Sequence, residues 1–255
     1  MSLLSLHHLS HDFSGLRAVD DFTLDLAEGE LVGLIGPNGA GKTTIFNLIT
    51  GLYRPTQGRV LFRDEDLTGR FPSYIVSRGL ARTFQNIRLF RSLSVLDNVR
   101  MAHYNQAGYT LLDSLLRLPR FHRQERRLRD RSLELLDLFG LTDVAYAQAG
   151  DLPYGRQRRL EITRALATNP ALLLLDEPAA GMNPAEADAL LELIVRLHRD
   201  FHLTILLIEH QMRVVMNCAQ RLSVLDFGQT IAEGTPAEIR ANPRVVEAYL
   251  GEEVA

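Results

Sequence analysis

One eight-residue segment constrains the fold of this chain more than any other. Residues 36–43 read Gly-Pro-Asn-Gly-Ala-Gly-Lys-Thr, which fits the phosphate-binding pattern G-x-x-x-x-G-K-[ST] at every fixed position. That pattern requires a strand before it and a helix after it. The apolar run Leu31–Ile35 and the helical pattern Thr43–Leu52 supply both. A Gly-rich turn that matches by chance is the alternative, and the flanking segments disfavour it.

The residue types in this segment suit the binding of nucleotide phosphates. Glycines let backbone N–H groups converge on phosphate oxygens, and the N-terminus of a helix adds its positive dipole end. We expect Lys42, the single lysine beside 27 arginines, to reach the β- and γ-phosphates and the Thr43 hydroxyl to ligate Mg²⁺. The predicted nucleotide-binding residues are Gly36, Pro37, Asn38, Gly39, Ala40, Gly41, Lys42, Thr43 and Thr44.

A pair of acidic residues forms the second half of the predicted site. The apolar run at 172–175 precedes Asp176 and Glu177, so a buried strand would deliver both to its carboxyl end, where open α/β sheets bind ligands. Asp176 could hold the Mg²⁺ shell and Glu177 could polarise the attacking water. A helix cap is the alternative for such a pair. Together, the acidic pair and the phosphate loop predict a protein that binds ATP and Mg²⁺ and hydrolyses the ATP.

The hydrophobic pattern predicts an α/β fold with a mainly parallel core sheet. Short apolar runs at 3–6, 22–26, 31–35 and 60–62 indicate strands, and we expect antiparallel strands at the N-terminus. Helical spacing between Phe90 and Ala149 indicates an inserted helical subdomain. Uninterrupted Leu/Ile runs flanked by helices are typical of buried parallel strands. The predicted elements after the insertion are a helix at 156–167, a strand at 172–176, a helix at 185–200, a strand at 204–209, a strand pair at 223–226 and 229–232, and two short C-terminal helices.

Composition excludes several other classes of protein. The chain has 255 residues, 23% charged, with a net charge of −3 and one cysteine, Cys218. Such values exclude a disordered, collagen-like or disulfide-stapled chain and argue against a nucleic-acid partner. Neither a secretory signal nor an apolar run of membrane-spanning length is apparent. We therefore expect a soluble, cytoplasmic protein that acts at a membrane only through partners.

A basic stretch, 116–131, has two interpretations. It holds seven arginines against Glu125 and Asp130, a local net charge of +5. The simpler interpretation is a solvated helix face, and the other is contact with anionic lipid or an acidic partner.

Further motifs distinguish among phosphate-loop ATPases. Phe13 precedes the phosphate loop, Gln85 comes just before the predicted helical region, where we expect it to end a strand, and His210 follows the strand at 204–209. The chain resembles the ATP-binding subunits of ABC transporters over essentially its whole length. The resemblance implies that Phe13 stacks on adenine, that Gln85 contacts Mg²⁺ or the attacking water, and that His210 contacts the γ-phosphate. A core phenylalanine and an ordinary histidine are the alternatives for Phe13 and His210.

The signature motif of that family departs from its usual form here. Residues 152–157, Leu-Pro-Tyr-Gly-Arg-Gln, occupy the place of Leu-Ser-Gly-Gly-Gln. Pro153 has neither the hydroxyl nor the N–H of the usual serine, and Tyr154 replaces a glycine. Gly155 remains and is expected to contact the nucleotide across a dimer. We call the surface formed by residues 152–157 the signature face, and we hypothesise that it binds a partner's nucleotide more weakly than usual. Asn183, where the family has its D-loop aspartate, also fits a helix N-cap before Pro184.

The match is more specific in five segments, which are similar to the larger ATPase subunit of high-affinity branched-chain amino acid importers. These segments are 82–90, 177–184, 207–210, 234–239 and 242–251. The resemblance implies a second ATPase subunit in a hetero- or homodimer, partner permeases, an indirectly acting periplasmic binding protein and a peripheral position on the cytoplasmic face of a bacterial inner membrane. ATPases of urea or amide importers and of lipopolysaccharide export are alternatives. A soluble ABC ATPase of DNA repair or translation fits less well.

The resemblance also implies a division of the chain. One ABC ATPase domain would span 1–255, with a nucleotide-binding core at 1–85 and 156–235, a helical subdomain carrying the signature motif at 86–155 and C-terminal helices at 236–255.

Overall fold

The computed structural model describes residues 2–104, 111–209 and 212–250. Contacts along the backbone divide the chain into two units. The first comprises Met1–Arg82 and Ala171–Ala255, and the second comprises Thr83–Pro170. Among the described residues, no helix combines the length and apolar character needed to cross a membrane.

The first unit holds a mainly parallel six-stranded sheet. Its strands, in spatial order, are β10 (Gln229–Gly234), β9 (Arg221–Asp226), β3 (Leu31–Ile35), β8 (Thr204–Ile208), β7 (Leu172–Asp176) and β6 (Leu80–Arg82). Only β10 runs antiparallel to its neighbour. Strands β3, β7 and β8 are buried at every residue, as their uninterrupted apolar sequences predict.

An antiparallel four-stranded sheet completes the β-structure of this unit. Its spatial order is β2 (Leu16–Ala27), β1 (Ser2–Phe13), β4 (Gln57–Phe62) and β5 (Glu65–Asp66). Alternating leucines of β1 and β2 join Phe22, Phe46 and Phe62 in one apolar core with residues of β3, β7 and β8. The helices of this unit are α1 (Lys42–Ile49), α2 (Pro72–Ser77), α7 (Pro184–Phe201), α8 (Met212–Cys218), α9 (Pro236–Ala241) and α10 (Pro243–Leu250).

The second unit is helical, as its sequence periodicity predicts. Its helices are α3 (Val95–His103), α4 (Leu111–Leu115), α5 (Pro119–Leu138) and α6 (Tyr154–Ala167), with 3-10 turns at Thr142–Val144 and Ala149–Asp151. The predicted division placed residues 156–170 with the nucleotide-binding core. In the structure they group with the second unit instead, because α6 packs against α3 and α5.

Several element boundaries differ from the sequence prediction. The first strand extends to Phe13 rather than ending near Leu6, since pairing with β2 continues along its whole length. Helix α1 begins at Lys42. Strand β5 and helix α2 were not predicted, because they are only two and six residues long and too short to show a period. Strand β6 is three residues long and ends at Arg82, three positions before the strand end expected at Gln85.

Candidate functional site

The phosphate-loop segment connects β3 to α1 as predicted, and two of its glycines are sterically required. Gly36 has a φ of 150° and Gly41 a φ of 104°. A Cβ atom on Gly36 would lie 2.0 Å from the Leu225 carbonyl oxygen, and one on Gly41 would lie 2.4 Å from the Ala18 carbonyl oxygen. Since backbone atoms cannot yield to a side chain as a flexible side chain does, both positions exclude any larger residue.

Lys42 closes the loop on itself. Its Nζ donates to the carbonyl oxygens of Gly36 at 2.6 Å and Pro37 at 2.7 Å. The side chain is buried, with 6% exposure. A buried ammonium requires hydrogen-bond acceptors, so these two carbonyls fix its charge within the loop, where an anionic ligand would be stabilised.

The N-terminus of α1 has the properties of an anion-binding site. Gly41 is the N-cap, and no side chain caps this end within the described residues. The first turn carries no acidic residue. Thr43 is exposed and Thr44 is partly exposed. The backbone N–H groups of a helix N-terminus, the dipole and a Thr hydroxyl are together suited to phosphate oxygens and to a metal ion between them.

The register of the central sheet brings the predicted acidic pair to the same edge as the loop. Leu34 of β3 pairs with Ile208 of β8, and Ile208 pairs with Asp176 at the end of β7. Neighbouring strands lie about 4.8 Å apart, so the carboxyl ends of β3 and β7 are roughly 10 Å apart, one strand between them. The phosphate loop and Asp176 therefore leave the same edge of the sheet.

Glu177 has an unusual backbone conformation. Its φ is 46°, in the left-handed region that residues other than glycine seldom adopt. Its N–H donates to the Ile208 carbonyl at 2.9 Å, and its own carbonyl accepts from the Ala180 N–H at 3.1 Å. Backbone strain of this kind clusters at functional sites. The sheet edge thus holds Glu177 in a conformation that turns the chain sharply away from the strand.

Glu209, the residue after β8, was not predicted from the sequence to be a site residue. Glu209 is fully buried, and its Oε1 accepts from the Ala179 N–H at 3.1 Å. This hydrogen bond connects the segment after β8 with the segment after Glu177. The position of Glu209 between a buried strand and His210 was the available signal. His210 itself lies outside the described residues.

A second missed residue, Arg82, bridges Asp176 to α1. Its Nη2 donates to Asp176 Oδ2 at 2.7 Å, and both side chains are at most 5% exposed. Its Nη1 donates to Asn47 Oδ1 at 2.7 Å and to Thr50 Oγ1 at 3.1 Å, both on or at the end of α1. In the sequence, Arg82 stands out only as the first residue of segment 82–90, which resembles the importer ATPases. Its position at the end of a buried strand, where a charge needs a partner, was the signal.

Phe13 is not a core residue, so the simpler alternative for it is wrong. It is the last residue of β1 and is 39% exposed. Its ring contacts His11 and Tyr53 edge to face, with centroids 4.6 and 5.3 Å apart. An aromatic ring held by two neighbouring rings and open on another side is suited to stacking a planar ligand.

Gln85 lies in the second unit, and the prediction that it ends a strand is wrong. Strand β6 ends at Arg82, and Gln85 is an exposed residue in a bend three positions later. The fully buried Arg158 of α6 holds this bend. It donates to the carbonyls of Phe84 at 2.6 Å and Gln85 at 2.8 Å and pairs with Glu161 at 2.9 Å. Helix α6, which begins in the signature motif, therefore fixes the backbone at Gln85.

The signature motif forms the start of α6. Pro153 is the N-cap, with φ −54° and ψ 149°, and provides no side-chain cap. Tyr154 is exposed and Gly155 is buried. In the first unit, Asn183 caps α7. Its side chain accepts from the Glu186 N–H at 2.9 Å in a capping box, with Pro184 at the first helical position. The helix-cap interpretation of Asn183 is confirmed.

Comparison with known proteins identifies the family. The family model described as "ABC transporter" matches residues 19–180, more than half of the chain. The chain belongs to the ABC transporter family. A second family model, "Branched-chain amino acid ATP-binding cassette transporter", matches residues 229–255. The family predicted from the motifs is confirmed.

Full-length relatives and solved structures agree with this assignment. The chain is 48% identical to the high-affinity branched-chain amino acid transport ATP-binding protein LivG of Escherichia coli K12, and 43% identical to its counterpart BraF of Pseudomonas aeruginosa, with 98% of each chain covered in both cases. The ADP conformation of MJ1267, an ATP-binding cassette of an ABC transporter, superposes with a TM-score of 0.84 at 32% identity, covering 98% of this chain and 99% of that one. The predicted ABC ATPase fold is confirmed.

Proposed function

We propose that this chain is the ATP-hydrolysing subunit of an ABC importer that energises the uptake of branched-chain amino acids. One observation carries the proposal of hydrolysis: the sheet register brings a phosphate loop containing a buried lysine to the same edge as the pair Asp176–Glu177. The substrate class rests on the full-length similarity to LivG and BraF and on the C-terminal match at residues 229–255.

The residues of the first unit divide the chemistry between them. Lys42 and the N–H groups of the loop bind the β- and γ-phosphates, and Phe13 stacks on the adenine. Glu177 polarises the attacking water, and His210 contacts the γ-phosphate. Because little covalent chemistry falls to the protein in phosphoryl transfer, positioning and charge supply most of the catalysis.

The residues at this edge fit a magnesium ion. Asp176 and the Thr43 hydroxyl supply oxygen atoms of the kind Mg²⁺ prefers. The assignment of Gln85 to the same ion rests on the family resemblance alone. The described residues contain no group of three or more His, Cys, Asp or Glu able to hold a metal. Bound Mg²⁺ would neutralise phosphate charge.

We further propose that the chain acts within an assembly. A second ATPase subunit would place its signature face against this nucleotide, and Gly155 of this chain would contact the nucleotide of that subunit. Permeases would carry the substrate, delivered by a periplasmic binding protein, and the chain would be peripheral on the cytoplasmic face of the membrane. ATP-driven closure of such a dimer and its reopening after hydrolysis is a motion that can do work.

Replacing Glu177 with glutamine tests the hydrolytic role. Glu177→Gln should bind ATP with wild-type affinity while steady-state phosphate release falls by about 10²-fold or more, as expected for loss of a general base. Glu192→Gln, an exposed change on α7, is the matched control and should leave both unchanged. Persistent turnover in Glu177→Gln would show that Glu177 is not the base.

Purification from the native host tests the transport assignment. The chain should copurify with permease subunits and with a second ATPase subunit, and the reconstituted complex should accumulate leucine, isoleucine or valine on addition of ATP. Uptake of urea or an amide instead, or copurification with lipopolysaccharide-export components, would favour the alternative ABC systems.

A further inference from the structure

The outer face of α5 carries a stripe of exposed arginines. Arg120, Arg123, Arg127 and Arg131 recur at helical spacing, so they lie on one side of the helix. The opposite side is buried through Leu128, Ser132 and Leu136. All four arginines are exposed. The stripe therefore points away from the interior of the second unit.

Three exposed leucines lie directly beside the start of this stripe. Leu115 ends α4, and Leu116 and Leu118 lie in the connection to α5. The three side chains are 81%, 61% and 39% exposed. The connection is a tight turn, with Arg117 at a φ of 46° and the Leu118 N–H donating to the Asp113 carbonyl at 3.0 Å. The turn thus presents a cluster of apolar side chains to solvent, which is uncommon on the surface of a soluble protein.

Intramolecular carboxylates do not neutralise the stripe. In the described ranges 2–104, 111–209 and 212–250, no ion pair involves Arg117, Arg120, Arg123, Arg127 or Arg131. Glu125, the nearest acid in sequence to the middle of the stripe, pairs with Arg100 of α3 instead. Asp130 and Glu134 border the stripe farther along α5, so the excess positive charge is concentrated at the end next to the leucines.

We propose that this surface, the α5 arginine stripe (Arg120, Arg123, Arg127 and Arg131) with the leucine turn (115–118), binds anionic phospholipid at a membrane surface. Leucine side chains would enter the boundary between headgroups and acyl chains, while the arginines pair with lipid phosphates and keep their stems on the apolar side. The inference goes beyond the proposed function and does not rest on it.

The combination of the two features favours lipid over an acidic protein or nucleic acid. A phosphate-rich polymer would be bound by the arginines alone and would leave the leucines in water. Anionic lipid offers both phosphate and hydrocarbon within one surface, which the adjacent stripe and turn match. Arginine also pairs with phosphate through two parallel hydrogen bonds, which strengthens the match.

Cosedimentation of the full-length chain with vesicles tests the arginine stripe. We expect binding to vesicles of equimolar phosphatidylglycerol and phosphatidylcholine, weak binding to phosphatidylcholine alone, and loss of the difference at high salt. The triple variant Arg120→Gln, Arg123→Gln, Arg127→Gln should bind roughly a hundredfold more weakly, because each arginine near an anionic surface contributes about fivefold. Its ATPase activity and melting temperature should be those of the wild type.

A charge-matched variant separates this surface from general electrostatic attraction. Arg59, Arg240 and Arg244 are exposed residues of the first unit, and changing all three to glutamine removes the same charge. This control should bind anionic vesicles like the wild type. Equal weakening in the control would overturn the proposal. Absence of any preference for anionic vesicles would also overturn it, and loss of transport in the stripe variant would then indicate an acidic protein partner.

A fluorescence experiment tests the leucine turn separately. The chain contains no tryptophan, so Leu116→Trp introduces a single reporter. Phe201→Trp is the matched control, because Phe201 is 62% exposed against 61% for Leu116 and lies in the first unit. Anionic vesicles should shift the Leu116→Trp emission to shorter wavelength and allow quenching by brominated lipid, with no change in Phe201→Trp. An unshifted Leu116→Trp spectrum would contradict insertion.

Discussion

Lys42 is the residue for which side-chain shape matters most. Its ammonium lies between two loop carbonyls, 2.6 and 2.7 Å away. A slim ammonium on a flexible stem can fit there, whereas a planar guanidinium is wider and needs acceptors in a fixed fork. The 27 arginines elsewhere show that the chain accepts arginine widely. At this position the geometry of the loop excludes it.

We therefore expect Lys42→Arg to reduce ATP hydrolysis to background. The guanidinium cannot occupy the space beneath the loop without displacing the carbonyls of Gly36 and Pro37. Phosphate release and nucleotide affinity measure the effect. The reverse exchange at an exposed site, Arg59→Lys, is the control and should be silent. Wild-type turnover in Lys42→Arg would refute the steric argument.

The Arg82–Asp176 pair is the other residue-scale feature that controls the site. Arg82 contacts both the end of β7 and the helix that follows the phosphate loop. The Arg82 guanidinium also packs over the ring of Phe46, with 5.3 Å between the guanidinium carbon and the ring centroid. This contact helps to hold the side chain in place. We interpret Arg82 as a positioning residue, because it acts on the site through Asp176 and Asn47.

Arg82→Met should destabilise the fold and disturb the metal dependence of nucleotide binding. Removing one member of a buried ion pair leaves the other charge uncompensated, at a cost of about 3–5 kcal/mol. Urea unfolding measures the loss, and a titration of nucleotide affinity against Mg²⁺ measures the effect on Asp176. The control Arg63→Met breaks an exposed pair with Glu28 and should matter little. An unchanged Mg²⁺ profile would rule out a positioning role.

At the scale of elements, the signature helix α6 has an unusual start. Serine and threonine are favoured at the N-cap because their hydroxyls accept from the first turn, and Pro153 offers no such acceptor. Its φ and ψ are nevertheless those that a serine adopts at an N-cap. The backbone dihedral angles are therefore those of the usual signature motif, and Pro153 departs from that motif by lacking the hydroxyl and the N–H of serine.

Pro153→Ser should raise ATP hydrolysis by the assembled transporter, since it would restore a hydroxyl and an N–H on the face that we propose to meet the partner's nucleotide. The stability change should be small, because the gain of a helix cap and the loss of proline's rigidity each amount to about 1 kcal/mol and oppose each other. Pro236→Ser, at the start of α9, controls for the loss of a proline. Unchanged ATPase activity would refute the weakened-face hypothesis.

At the scale of the whole molecule, we expect nucleotide binding to raise the free energy of unfolding. A ligand that binds only the folded chain stabilises it by about 2.7 kcal/mol at a concentration one hundred times its Kd. For a chain of this size that corresponds to a rise in melting temperature of roughly 5–10 °C. Scanning calorimetry with MgATP should show this rise in the wild type and in Glu177→Gln, and its loss in Lys42→Arg. An equal rise in Lys42→Arg would place the nucleotide elsewhere.

The sequence predicted the elements whose patterns are local. The phosphate loop, the buried strands β3, β7 and β8 and the helical second unit each occupy a continuous segment with a clear period or motif. Short elements such as β5 escaped prediction because two residues carry no period. Strand β6 has only three residues. The expected strand end at Gln85 was wrong for the same reason. The extent of β1 depends on its pairing with β2 rather than on its own sequence.

By itself, the sequence determined the chemistry that this protein can perform. The glycine-rich loop with one lysine, the acidic pair after an apolar run and the family motifs predict phosphate binding, a general base and a metal. Each of these predictions depends on residue type and close spacing. Only the tertiary structure decided how these groups are supported. Strand register aligned Asp176 with the loop. Folding also brought Arg82 into contact with Asp176, 94 residues away in the sequence, and with Asn47, 35 residues away. Contacts of that separation leave no periodic trace in sequence, since they arise from sheet order and burial.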